Sequence, residues 1–123
     1  MSTLRVNTLQ NAAGTSDPAI SGAAKAWVNF NGTGTVAIRA SFNVTSITDN
    51  GTGQYTINFT NSLTDANYSG VVTTGQVSDG TNLIVCTANF SAVPTSSAWR
   101  INVVTRSGGV DTDSAYMSAT VFR

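Results

Sequence analysis

From Lys25 to Phe122, apolar and polar residues alternate with a period of two, and Gly, Asn, Asp and Pro interrupt the alternation at intervals. A period of two places successive side chains on opposite faces of a strand, whereas an amphipathic helix needs apolar residues three and four apart. The pattern predicts strands near 26 to 31, 35 to 48, 54 to 60, 67 to 75, 82 to 90, 98 to 106 and 114 to 122, and no helix. One face of each is marked by Phe42/Val44, Tyr55/Ile57/Phe59, Leu83/Val85, Trp99/Ile101/Val103 and Ala115/Met117/Ala119/Val121. The doublets Val71-Val72 and Val103-Val104 predict burial on both faces. Asn50-Gly51, Asp79-Gly80 and Gly108-Gly109 tolerate the positive φ of tight reversals, and Pro94 breaks a ladder inside a loop.

Composition narrows the class. At 123 residues the chain has room for one core. Charged residues make up 10%, there is one lysine and every acid is an aspartate, so the supply of exposed helix formers is poor. The expected fold is all-β: an antiparallel β-sandwich, jelly-roll-like or up-and-down, over residues 25–123. Residues 1–24 read as an extended N-terminal arm with a linker. Leu4 and Val6 alternate with polar neighbours, Leu9 follows, and Asn11 to Gly22 is small, polar and turn-rich. A segment this short becomes ordered only when docked, which makes Leu4, Val6 and Leu9 the candidate residues for docking on a neighbouring subunit or other partner.

Several function classes fall away. A formal net charge of zero offers no field to hold nucleic acid or a charged membrane face. No run of about 18 apolar residues suggests membrane insertion, and the start lacks the pattern of a secretory signal, which predicts assembly in the cytoplasm of the producing cell. Histidine is absent, and the single Cys86 falls in the apolar run Leu83-Ile84-Val85-Cys86. A Ser-His-Asp triad, a Cys-His pair and a histidine-bearing zinc site are therefore excluded, and a non-enzyme without a cofactor is expected. The glycine-rich turns Gly32-Thr33-Gly34 and Gly51-Thr52-Gly53 precede strands, so they supply no helix N-terminus for a phosphate.

One constellation is a candidate ligand site. If consecutive strands run up and down, the turns at 49 to 53, 76 to 81 and 107 to 113 meet at one end. Asp49, Asn50, Asp79, Asn82, Asp111, Asp113 and Tyr116 are then the ligand-facing loop candidates. Oxygen-rich loops suit Ca²⁺ or saccharide hydroxyls, and Asp111, Asp113 and Asp79 are the carboxylates that would reach a cation. The competing reading is that turns simply favour Asp and Asn. Trp27, Phe30, Phe42, Tyr55, Phe59, Phe90, Trp99 and Phe122 read as core or subunit packing, and Tyr68 and Tyr116 as surface residues. Arg39, Arg100 and Arg106 lie on strands of a charge-poor chain, where pairing with an aspartate across an interface competes with solvation.

The run Trp27-Val28-Asn29-Phe30-Asn31-Gly32-Thr33-Gly34 is followed by Ser41-Phe42-Asn43-Val44, by Ser46-Ile47-Thr48-Asp49-Asn50-Gly51-Thr52-Gly53 and by Tyr55-Thr56 and Asn58-Phe59. Together they resemble a β-rich module of tail fibres and other virion appendage proteins of tailed bacteriophages, cyanophages among them. The match covers Ala23 to Phe59 and continues loosely through Leu63 to Tyr68. The opening Ser2, Thr3, Leu4, Val6, Thr8, Leu9 and Gln10 also fits the start of such proteins.

The resemblance implies a homotrimer in the virion, an N-terminal part joined to other virion proteins, a domain presented outward for host attachment through surface glycans, and no catalytic residues. Heptads and β-helical repeats of a fibre shaft are absent from the sequence. The alternative is therefore a capsid decoration or cement protein whose arm clamps neighbouring capsid subunits. A free carbohydrate-binding module is a third reading.

Overall fold

The structure, a computed structural model, describes residues 2, 22–75, 84–89, 91–106 and 108–123. The expected arm residues Leu4, Val6 and Leu9, and the loop candidates Asp79 and Asn82, lie outside the described residues, as do Leu83 and Phe90. Among the described residues eight strands are formed: β1 (Ala24–Asn31), β2 (Ala37–Phe42), β3 (Val44–Gly51), β4 (Gln54–Phe59), β5 (Ser69–Thr74), β6 (Ile84–Ala88), β7 (Ala98–Thr105) and β8 (Met117–Phe122). They make two four-stranded antiparallel sheets, sheet A in the order β2-β1-β8-β5 and sheet B in the order β3-β4-β7-β6. The all-β expectation holds, and β1 begins one residue inside the stretch read as linker.

The strand order is not up-and-down, because β1 pairs with β8 and β4 with β7. Nor does it follow a jelly roll, which sends nearly every successive strand to the opposite sheet. Here the hairpins β1–β2, β3–β4 and β6–β7 each stay within one sheet. The first four strands supply one half of both sheets and the last four the other half, joined along β1–β8 and β4–β7.

The core is the layer between the sheets, built from the alternating residues of four strands with Val44 of β3. Ala26, Val28 and Phe30 of β1 and Met117, Ala119 and Val121 of β8 face Tyr55, Ile57 and Phe59 of β4 and Trp99, Ile101 and Val103 of β7. Phe30 and Tyr55 meet edge to face at 5.3 Å between centroids, a favoured arrangement that links the two sheets. Tyr68 packs against Phe59 at 5.9 Å and Trp99 at 6.3 Å, and donates to the Ala98 carbonyl at 3.3 Å. It is a packing residue of the β4–β5 crossover, not the surface residue the sequence suggested. The same crossover is tied to the last residue, where Arg123 Nε and Nη2 donate to the two carboxylate oxygens of Asp65 at 2.9 and 2.6 Å. That bond holds the Asp65 carboxyl down at about 2.

The largest departure from the sequence reading is at Asn43. The single strand expected over 35 to 48 is two strands in different sheets, and Asn43 between them has φ of 54°. One residue in the left-handed region turns the chain out of sheet A and into sheet B, and asparagine is among the few residues that visit that region readily. Its side chain fixes the junction: Nδ2 donates to the carbonyls of Lys25 at 3.0 Å and Asn61 at 3.1 Å, and Oδ1 accepts from Asn61 N–H at 2.8 Å. As a result Val44 is buried while Phe42 points out, although the alternation had placed them on one face. Val71 and Val85 are likewise exposed, on the outer sides of the edge strands β5 and β6, where no further layer covers them.

Replacing Asn43 by Ala removes these bonds and puts a less tolerant residue at positive φ, which should cost about 2–4 kcal/mol in urea denaturation. Asn43→Gly, free of the Cβ clash, should lose about 1 kcal/mol less. Equal losses in the two variants would show that the backbone conformation contributes nothing.

Candidate functional site

Although the strand order differs from the one assumed, one end of the sandwich does gather several of the expected turns. The β3–β4 turn meets the segment 110–114 that leads into β8: Gly53 N–H donates to Asp113 Oδ1 at 2.7 Å, and Gln54 Nε2 donates to Asp111 Oδ2 at 2.7 Å. The β1–β2 turn joins them, since Gly32 N–H donates to the Ser114 carbonyl at 2.9 Å. Tyr55, fully buried, places its hydroxyl between these parts, 2.7 Å from both the Gly32 carbonyl and Asp113 Oδ1.

The packing at this end demands glycine at two points. A Cβ on Gly53, where φ is 66°, would lie 2.5 Å from the Val103 carbonyl oxygen, and one on Gly32 would lie 2.6 Å from the Tyr55 hydroxyl oxygen.

The aspartates at this end are therefore structural acceptors. Asp113 Oδ1 takes a backbone N–H and a phenol, and Asp49 Oδ1 takes the N–H of Gly51 at 2.9 Å, closing its own turn. Asp111 lies at the end of a relay in which Arg100 Nη2 donates to Gln54 Oε1 at 2.8 Å and Gln54 donates on to Asp111. Among the described residues, no three carboxylate or cysteine side chains come together as a cation site. Asn50 does not face a loop cleft; its Nδ2 donates to Thr48 O at 3.2 Å and Thr56 Oγ1 at 2.8 Å on sheet B. Burial and the bond to Asp113 push the Tyr55 phenol well above its ordinary range, and burial pushes Tyr68 up to about 12.

Away from the turns, the two outer faces differ in kind. On sheet B the outward residues Ser46, Thr48, Gln54, Thr56, Asn58, Arg100 and Asn102 are polar and bond one another, and Val85 pairs with Val104 toward the β6 edge. Asn58 Nδ2 reaches Thr48 Oγ1 at 2.9 Å and Ser46 Oγ at 3.1 Å, and Asn89 donates to Asn102 Oδ1. The Arg100 Nε is buried in this layer without a hydrogen-bond partner.

On sheet A the outward residues form rows set by the pairing register. Phe42 pairs with Trp27, Trp27 with Thr120 and Thr120 with Val71, one row across all four strands, about 14 Å at the usual strand spacing. Phe42 is 55% exposed, Trp27 39% and Val71 51%. Sequence reasoning assigned both aromatics to packing without separating core from outer face. The register alone shows that they share an uncovered row.

At the turn end of this sheet stands Tyr116, 67% exposed as the sequence suggested. The β1–β2 register skips Arg39, a bulge that re-aims its side chain. Arg39 Nη2 donates to the Ala115 carbonyl at 2.6 Å, and its guanidinium lies 4.8 Å from the centre of the Tyr116 ring. Within the chain Arg39 and Arg100 bond a carbonyl and an amide oxygen, and Arg123 forms an ion pair with Asp65. Cys86 packs against the core, where burial pushes its thiol up to about 11, so it stays protonated at neutral pH. Compared with family models, with characterised proteins and with solved structures, the chain matches none.

Tyr55→Phe removes the one proton that the buried Gly32 carbonyl and Asp113 Oδ1 share, leaving Asp113 with the Gly53 N–H alone, and should cost about 1–3 kcal/mol at neutral pH. A raised phenol favours the folded state fully below pH 10, where both states keep the proton. That advantage is lost as pH rises further, because the unfolded chain ionises first. Wild-type stability should therefore fall between pH 10 and 12, and the fall should be shallower in Tyr55→Phe. Parallel profiles would remove Tyr55 from the alkaline transition.

Proposed function

We propose that this chain is a non-enzymatic structural subunit of a phage virion, an appendage or tail-fibre protein involved in host attachment. It docks on neighbouring subunits through the outer face of sheet A. The observation that carries the reading is the contrast between the two outer faces. A sheet whose outer side chains already bond one another gains little from a partner, whereas Phe42, Trp27 and Val71 in one row gain from being covered. The resemblance of Ala23 to Phe59 to virion appendage modules supplies the setting, and it implies three copies about an axis. Held so, weak contacts from each copy to host-surface glycans add through avidity without deep pockets. The exposed Tyr116, braced by Arg39, is the side chain best suited to stack on a sugar ring.

The test is incorporation. Trp27 and Phe42 lie outside the core, so the double variant W27S/F42S should unfold within about 1 kcal/mol of wild type. Phage assembled with it should carry little of the protein. Normal incorporation would remove the face from assembly. Cryo-electron microscopy of whole particles separates appendage from capsid decoration: density on the tail supports the reading, and density across the head lattice replaces it with a cement protein.

A further inference from the structure

The sequence holds two Asn-Gly pairs, Asn31-Gly32 and Asn50-Gly51. Such a pair can close on itself: the glycine amide nitrogen, once it loses its proton, attacks the side-chain carbonyl carbon of the asparagine and expels ammonia. Water then opens the cyclic imide at one carbonyl to give aspartate, or at the other to give isoaspartate. Glycine permits the step because no Cβ hinders the approach of its nitrogen. In a folded chain the rate depends on what holds that nitrogen and the side chain it must reach, and the two pairs are held differently.

Asn31-Gly32 is locked. Gly32 is buried, its N–H donates to the Ser114 carbonyl at 2.9 Å, and the Tyr55 hydroxyl oxygen lies 2.6 Å from where a Cβ would stand. The Asn31 side chain is gripped at both ends: Oδ1 accepts from the Thr33 N–H at 3.3 Å and the Thr33 hydroxyl at 2.8 Å, and Nδ2 donates to the Thr33 carbonyl at 2.7 Å. Freeing this glycine nitrogen means parting the β1–β2 turn from the segment that leads into β8. Asn50-Gly51 is open. It ends β3, an edge strand of sheet B, where the register passes from Asp49–Tyr55 to Gly51–Gln54 and leaves Asn50 in a bulge. Both residues are exposed, Gly51 has φ of 121°, and nothing stands within 4 Å of its missing Cβ. The Gly51 N–H donates to the exposed Asp49 side chain, a bond that one side-chain rotation releases, and Asn50 Nδ2 is held by Thr48 O and Thr56 Oγ1 at the exposed surface. Fraying of this one turn therefore frees the pair.

We propose that Asn50 is a site of spontaneous modification in the folded protein, converting through the imide to isoaspartate and aspartate, while Asn31 is preserved. The conversion replaces an amide that donates to the Thr48 carbonyl with a carboxylate that has no proton to offer it. It also places a negative charge beside Asp49 on a chain whose formal net charge is zero. This edge of sheet B thus changes with the age of the protein, from self-bonded to charged.

The experiment holds the full chain for days in mildly alkaline buffer, below the Tyr55 transition, with a second sample in the same buffer plus guanidinium chloride. Trypsin cuts after Lys25, Arg39 and Arg100, which puts Asn31 in peptide 26–39 and Asn50 in peptide 40–100. Mass spectrometry with fragmentation reads the gain of one mass unit at each asparagine, and an isoaspartyl methyltransferase assay marks the imide route. In the folded sample Asn50 should convert about tenfold faster than Asn31 or more, because Asn31 must await a larger opening. In guanidinium chloride the two rates should agree within about twofold, since both glycines are then equally free. Asn31 keeping pace with Asn50 in the folded protein overturns the inference, as does an Asn50 that converts only when unfolded. Aspartate without isoaspartate at position 50 removes the imide route, and a gap of the same size in guanidinium chloride removes the fold as its cause.

Discussion

The left-handed turn at Asn43 and the bonds its side chain makes decide which side chains this protein buries. Because strand side chains alternate strictly, a single residue that reverses the chain resets the alternation for everything after it. Upstream of Asn43, Phe42 joins the outer face of sheet A; downstream, Val44 joins the core, and Ile47 packs against it. The side chain ties this corner to Lys25 at the start of β1 and to Asn61 just beyond β4, so the two hairpins of the first half hold a fixed relation. The core depends on that relation, since Phe30 from one hairpin and Tyr55 from the other meet edge to face within it.

At the opposite end Tyr55 links the two halves of the chain. Its hydroxyl lies 2.7 Å from both the Gly32 carbonyl of the first hairpin and Asp113 Oδ1 of the segment leading into β8, while Asp113 also receives the N–H of Gly53. A buried phenol needs a partner, and here its proton lies between acceptors from the two halves. Acidic side chains at the tip are thereby drawn into holding the sandwich shut, and the exposed chemistry of this end is left to Tyr116 and Arg39.

Much of the fold was legible because burial follows alternation. Tyr55/Ile57/Phe59, Trp99/Ile101/Val103 and Met117/Ala119/Val121 are buried as their spacing indicates, and Gly51 and Gly109 take the positive φ their turns need. The Asn43 corner was hidden because the apolar pattern runs through Phe42 and Val44 without a gap, in a chain where asparagine also occupies strands. Tyr68 was misplaced because its partners come from β4 and β7, across a crossover that leaves no local periodicity. Asp111 and Asp113 are spaced like cation ligands, yet each meets donors 57 to 60 residues away, a distance that no motif spans. The apolar row on sheet A needed the pairing register, because hydrophobicity alone does not distinguish an inward aromatic from an outward one.

The self-bonded face of sheet B carries a consequence for life on a crowded surface. Asn50, Asn58 and Asn89 already bond their neighbours there, so a molecule settling over them must break a bond for every bond it makes. Such a stretch resists chance adhesion, and the way this chain meets any other molecule is set as much by what this side refuses as by what the other side accepts.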